Sequence, residues 1–208
     1  HLEEKNTDVF VLGLDARHYK KVSHSIIWAN RFAASTSVGS QKLLYYMGGV
    51  DAWLFPQFNR DTEVSENEQY AYQTLATNMR GFNQNVRNGN SFFVVNTELR
   101  VPLFKYLLRR PITSDFISNF QIVTFADFGT AWNGRTPFSK ENQINYEVIE
   151  NGPVTITIDR QKNPFVGGFG VGARSRLFGY FVRADWAWGV EDGYLLPNIL
   201  YISLGLDF

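Results

Sequence analysis

The chain has 208 residues, with 20 Lys and Arg against 20 Asp and Glu, so no overall charge draws it to nucleic acid or to an anionic surface. At 44% hydrophobic it is too apolar for a disordered tail, and its length allows one domain or two small ones. It has no Cys, which excludes disulfides and thiolate metal sites, and no apolar run approaches the ~18 residues of a membrane-spanning helix. His1, Leu2, Glu3, Glu4 and Lys5 offer no apolar stretch of the signal-peptide kind, as expected of a mature, truncated or intracellular chain.

Ten Tyr, eighteen Phe and five Trp against two Met favour strands over helices. Period two then dominates the chain. From Val9, Phe10, Leu12, Leu14 and Ala16 alternate with Gly13, Asp15, Arg17 and Tyr19. After a polar turn, Ile26, Trp28, Phe32 and Ala34 share one side, with Arg31 on the other. From Ser91 to Phe104, Phe93, Val95, Leu99, Val101 and Leu103 oppose Asn96, Glu98 and Arg100. Next, Phe120, Ile122, Ala126, Phe128 and Trp132 oppose Gln121, Asp127 and Gly129. A fifth strand, Phe165 to Leu177, sets Phe169 and Val171 against Gly168, Gly170, Gly172, Arg174 and Arg176. In the sixth, Tyr180, Val182, Ala184, Trp186, Trp188 and Val190 oppose Arg183, Asp185 and Glu191. The last sets Leu200, Ile202, Leu204, Leu206 and Phe208 against Tyr201, Ser203, Gly205 and Asp207.

About seven strands of roughly 9–14 residues result, each with one strongly apolar face. A soluble sandwich gives the same alternation, because its outer faces are polar. Strand length favours a membrane barrel instead: soluble strands average ~5–6 residues, and a tilted membrane strand needs ~9–11. Trp and Tyr near the ends of the apolar faces point the same way. Connection lengths add a further argument, since outer-membrane barrels alternate short periplasmic turns with long external loops. Here a turn of about four residues is followed by a loop over 38–90, a middling connection of about fourteen breaks the pattern, and a loop of about thirty residues is then followed by almost none. The alternation places the C-terminus on the periplasmic side.

Several local sequences together resemble a known family. The ending LYISLGLDF, with Tyr201, Gly205 and a terminal Phe208, resembles the C-terminal signal by which outer-membrane barrels are recognised for assembly. NMRGF (Asn78 to Phe82), inside the longest loop, resembles the Arg-Gly-Phe/Tyr motif of the inward-folded loop in the BamA/TamA superfamily, also called the bacterial surface antigen family. GNSFFVVNTELRVPLF resembles the strand that follows that loop, FADFGTAW the next strand's Asp-x-Gly motif, and GGFGVGARSRLFGYFVRADWAW the glycine-rich penultimate hairpin. Order and spacing agree over roughly residues 40–208.

The resemblance implies an all-β fold, an antiparallel transmembrane β-barrel of which residues 1–208 form the C-terminal part and 38–90 the inward-folded extracellular loop. Family barrels have sixteen strands and require roughly 350 residues, so the N-terminal half is an expected partner. The Gly48-Gly49 pair resembles the start of the inward loop but precedes Arg80-Gly81 by about thirty residues, an insertion relative to the family. Parity places Asp127 beside Gly129 on the inward face, and Gly168, Gly170 and Gly172 of the next strand clear space there. Arg80 in the loop, flanked by Gly81 and Phe82, is therefore expected to pair with Asp127, as the resemblance also implies. Glu98, Arg100, Arg174, Arg183 and Asp185 also face inward and read as a charge network lining the lumen.

Enzyme readings find little support. The three histidines, His1, His18 and His24, join no serine–acid arrangement, and GGFGVG lies within a strand rather than in a phosphate loop. The expectation is a non-enzymatic protein with no metal and no cofactor. Its expected location is the outer membrane of a Gram-negative bacterium, against outer-membrane lipid and lipopolysaccharide. Two functions remain open. One is insertion or translocation of nascent outer-membrane proteins with other assembly-machine subunits, by strand addition to an open edge. The other is a passive pore, or an anchor for a separate upstream domain. The upstream sequence would discriminate them.

Overall fold

The computed structural model describes residues 8–23, 25–65, 68–108, 113–140, 142, 144–151, 154–159 and 162–206. In chain order the strands are β1 (Val9–Lys21), β2 (Ile27–Gly39), β3 (Lys42–Met47), β4 (Tyr70–Leu75), β5 (Arg87–Gly89), β6 (Ser91–Val101), β7 (Gln121–Trp132), β8 (Tyr146–Asn151), β9 (Val154–Asp159), β10 (Val166–Leu177), β11 (Tyr180–Glu191), β12 (Tyr194–Leu195) and β13 (Ile199–Leu206). Two short helices, α1 (Leu103–Leu107) and α2 (Asp115–Asn119), lie between β6 and β7.

Eight strands form one antiparallel sheet in the order β1-β2-β6-β7-β10-β11, with β12 and β13 both paired to β11. The sheet is open: β1 pairs with β2 and β13 with β11, and the two do not meet. The seven long strands read from the alternation are all present, and β12 is a short addition. The third ends earlier than its pattern predicts, at Val101 rather than Phe104. Pro102 has no N–H to donate to the ladder, and the chain turns there into α1.

In the middle of the large sheet the two faces of a strand differ. Along β7, Ile122, Thr124, Ala126 and Phe128 are exposed while Val123, Phe125 and Asp127 are buried. Phe10, Leu12, Phe32, Phe169, Trp186 and Leu200 are likewise exposed. From β2 onwards the face that the sequence leaves apolar is thus the more open one and the polar face the more covered, whereas β1 is exposed on both faces. One like-charged pair on that face shares a carboxylate. Arg17 faces Arg31 across β1 and β2, and Asp15 accepts from both, at 3.0 and 2.7 Å.

The cover is the segment 40–90. It builds its own three-stranded sheet, β4-β3-β5, in which β3 and β4 run parallel. Met47, Met79, Phe82 and Val86 of this segment pack on Phe92, Val94, Ala131 and Val166 of the large sheet. A second cluster joins Val50 and Trp53 to Phe125, Ala187 and Tyr201. Burying each large side chain of these clusters stabilises by about 1.5–3 kcal/mol. The core therefore lies between the loop and the polar face. β8 and β9 pair with each other in a separate hairpin. No helix among the described residues is long and apolar enough to cross a membrane.

Candidate functional site

The loop enters its turn at Met79 and presents Arg80 to the strands beneath. Gly81 has φ +95°, in the left-handed region, and its Cα approaches the backbone of Trp188 and Gly189 so closely that a Cβ would overlap them. At Gly168 a Cβ would collide with the Arg80 carbonyl. These two glycines let one backbone lie directly on another.

Arg80 is 2% exposed and makes a two-pronged contact with Asp127. Its Nε donates to Oδ2 at 2.7 Å, its Nη2 to Oδ1 at 2.7 Å and its backbone N–H to Oδ2 at 3.1 Å. The remaining prong, Nη1, donates to Glu98 Oε1 at 2.8 Å. The guanidinium lies 3.6 Å above the Phe125 ring centroid. Asn96 Nδ2 bridges the assembly, donating to Asp127 Oδ1 at 2.8 Å and to the Asn78 carbonyl at 2.9 Å. Desolvation works to lower the Arg80 pKa, but the carboxylates of Asp127, Glu98 and Asp185 outweigh it and hold the group above its ordinary value.

Glu98 is the second centre. It also accepts from Arg174 at 2.6 and 3.0 Å and from Arg100 at 2.8 and 2.9 Å. Asp185 is buried 4.0 Å from Arg80 Nη1 and accepts no hydrogen bond from any described residue. Arg183 turns elsewhere, donating to Ser203 Oγ at 3.1 Å and to the Asp51 carbonyl at 3.3 Å. Gly170 and Gly172 lie against Phe125 and Asp185, and Gly129 against Phe93 and Val94.

Tyr201 is buried, and its hydroxyl accepts from the Gly81 N–H at 2.9 Å and donates to the Phe82 carbonyl at 2.8 Å. Read in the sequence as part of a C-terminal signal, it is here a receptor for the loop tip. Gly205 lies in open space on the same strand, and Phe208 falls outside the described residues. Gly48 and Gly49 form the base of the turn, Gly49 donating to the Phe82 carbonyl at 3.0 Å.

Three elements of the site escape the sequence argument. Phe125 carries the ring beneath Arg80, yet it is an apolar residue on the face assigned to polar ones. Arg87 is a second buried arginine, donating to the carbonyls of Pro164 at 3.2 Å and Asn163 at 2.9 Å, and to Glu191 at 2.6 Å. The third is an edge contact: the Leu54 N–H donates to the Ile202 carbonyl at 2.9 Å, the Leu204 N–H to the Ala52 carbonyl at 3.3 Å, and Trp53 stacks edge-on against Tyr201. Residues 52–54 thus occupy part of the free edge of β13. Higher in the loop, Tyr70 donates to Asn133 at 3.2 Å, and burial pushes its phenol up to about 12, so it remains a donor.

Among the described residues, no group of three or more His, Asp or Glu could hold a metal ion. No protein-family model matches the chain, and no curated protein matches it.

Proposed function

We propose that the chain is the C-terminal part of an outer-membrane β-barrel of the BamA/TamA type, which inserts or translocates other proteins and catalyses no covalent step. The observation that carries this reading is the inversion of the sheet. Its apolar face is open, and its charged face is packed beneath a loop through Arg80 and Asp127. In water an exposed Phe or Trp forgoes about 1.5–3 kcal/mol of burial. In hydrocarbon it forgoes nothing, and a charged face must then turn to a lumen. Strands of 11 to 13 residues in β1, β2, β6, β7, β10 and β11 match a tilted membrane crossing.

The open edges supply the mechanism. An N-terminal half of the barrel would pair with β1 and leave the seam at β13. A nascent strand can add to such a seam through backbone hydrogen bonds alone, which makes it tolerant of sequence. The loop reaches the seam through Tyr201 and through residues 52–54, so its seating governs what the edge can accept. In this arrangement the short connections face the periplasm of a Gram-negative cell.

The test uses the full-length protein in liposomes and follows insertion of a urea-denatured outer-membrane barrel by its heat-modifiable gel shift. Wild type is expected to accelerate insertion, and Arg80→Ala to enter the membrane while losing most of that acceleration. Wild type that inserts but gives no acceleration would leave the passive pore or anchor in its place.

A further inference from the structure

The free edge of β13 already carries a short piece of strand from the loop. The Leu54 N–H donates to the Ile202 carbonyl at 2.9 Å and the Leu204 N–H to the Ala52 carbonyl at 3.3 Å, so Trp53 lies opposite Ser203 as an antiparallel partner. In such a pair the two bonds flank the opposed residues, whose side chains share one face of the sheet. Trp53 accordingly turns to the covered side. Its ring centroid lies 4.7 Å from that of Tyr201, and it packs with Val50, Phe125 and Ala187. Leu54, the next residue, is exposed, as is Leu204.

The pairing stops after this one residue pair, for reasons legible in the chain. Ala52 has φ +53°, in the left-handed region, which turns the backbone off the edge on one side. On the other side the next donor in the ladder would be the N–H of residue 56, aimed at the Leu200 carbonyl. That residue is Pro56, which has no N–H. β13 runs from Ile199 to Leu206, so the pair at Ser203 covers only a small part of its edge.

Proteins ordinarily blunt an exposed edge with charge, proline within the edge strand or a bulge. Here the cover is itself strand-like, anchored by one aromatic side chain and bracketed so that it cannot grow. A longer extended segment with an aromatic residue in the place of Trp53 makes the same two backbone bonds and keeps the contact with Tyr201. It also adds the rungs that Ala52 and Pro56 deny to the resident segment, so it displaces that segment. Tyr201 meanwhile holds the Gly81 N–H and the Phe82 carbonyl, so one side chain touches both the edge cover and the loop tip.

We propose that residues 52–54 are a resident stand-in for the strand that β13 accepts: the incoming segment runs antiparallel to β13, seats an aromatic side chain on Tyr201 and displaces Trp53. The inference rests on the strand-addition reading above and adds the pattern of the partner strand and the contact that it replaces.

The chain has no Cys, so Trp53→Cys and Ser203→Cys can be joined selectively, and opposed residues of this kind, ~4.5 Å apart at Cα, suit a disulfide. Insertion of the urea-denatured barrel by the full-length protein in liposomes is followed as above, with a photo-cross-linking residue replacing Leu204 in a parallel set. The oxidised double variant is expected to lose most of the acceleration and to capture no substrate at position 204, and dithiothreitol to restore both. Pro56→Val returns the missing donor and lengthens the pairing of the stand-in. It is expected to slow insertion about threefold, the worth of one net backbone hydrogen bond. Trp53→Ala, which frees the Tyr201 ring, is expected to quicken insertion by a similar factor. An oxidised variant as fast as the reduced one, or a Trp53→Ala protein slowed as Arg80→Ala is, overturns the stand-in while the assembly reading stands. An unlocked protein that neither accelerates insertion nor captures substrate overturns both.

Discussion

Arg80 and Arg87 are seven residues apart in one loop and each is 2% exposed, yet they are held in opposite ways. Arg80 meets carboxylates on the strand wall, Asp127 and Glu98, both largely buried. Arg87 meets mainly carbonyls, those of Val86, Asn163 and Pro164, and its one carboxylate, Glu191, keeps 23% of its side chain exposed. Removing Arg80 would strand charges, whereas removing Arg87 would leave mainly neutral carbonyls, of which that of Pro164 keeps the Thr130 hydroxyl as donor. The first arrangement locks a loop to a wall. The second fastens two loops to each other.

The largest expected effect follows from that difference. Arg80→Ala leaves Asp127 without its fork and Glu98 short of one partner, at a cost of about 3–5 kcal/mol in denaturant unfolding. Arg80→Lys should recover only part, because an ammonium cannot match both oxygens of Asp127. Asp127→Ala should cost about as much, and the double variant less than the sum of the two. Near-additive losses would break the idea that these residues act as one unit.

Gly168→Ala tests the same clamp through shape alone. The added methyl meets the Arg80 carbonyl, and relieving it must lift the loop, at about 3 kcal/mol. Arg87→Ala should cost about 2 kcal/mol by the same measurement, because the groups it leaves are mostly neutral carbonyls and that of Pro164 keeps the Thr130 hydroxyl. A loss equal to that of Arg80→Ala would erase the distinction between the two sites. Tyr201→Phe should be mildest, about 1 kcal/mol, and is best read at one amide. The Gly81 N–H loses its acceptor, so its hydrogen exchange should quicken roughly fivefold while distant amides in β1 and β2 stay unchanged.

What the sequence reveals of this molecule follows from what periodicity can carry. Seven long strands are legible because each alternates over more than one turn's worth of ambiguity, and Asp127 falls on the covered face by parity alone. The end of β6 is misread because Leu103 and Phe104 continue the alternation past Pro102, although that proline removes the ladder donor. Phe125 is passed over for the opposite reason: it is an apolar residue that serves a cation. Arg87 has no local signature, since its acceptors Asn163 and Pro164 come from a loop more than seventy residues away and are backbone atoms. The small sheet within 40–90 is invisible for a related reason, as β3 and β4 have six residues each and pair in parallel, too short for a period to declare itself.

The central claim is that one face of this sheet meets hydrocarbon while the other meets the loop, and β7 carries both readings in adjacent residues. With no native Cys, a nitroxide can be placed singly at Ile122, Thr124, Ala126 and Phe128, and at Gln121 and Val123, in the full-length protein in liposomes. The account predicts that labels at the first four collide freely with oxygen and are shielded from a water-soluble nickel chelate, and that the other two show the reverse or are shielded from both. Labels at Ile122, Thr124, Ala126 and Phe128 that meet the nickel chelate as readily as oxygen would contradict it.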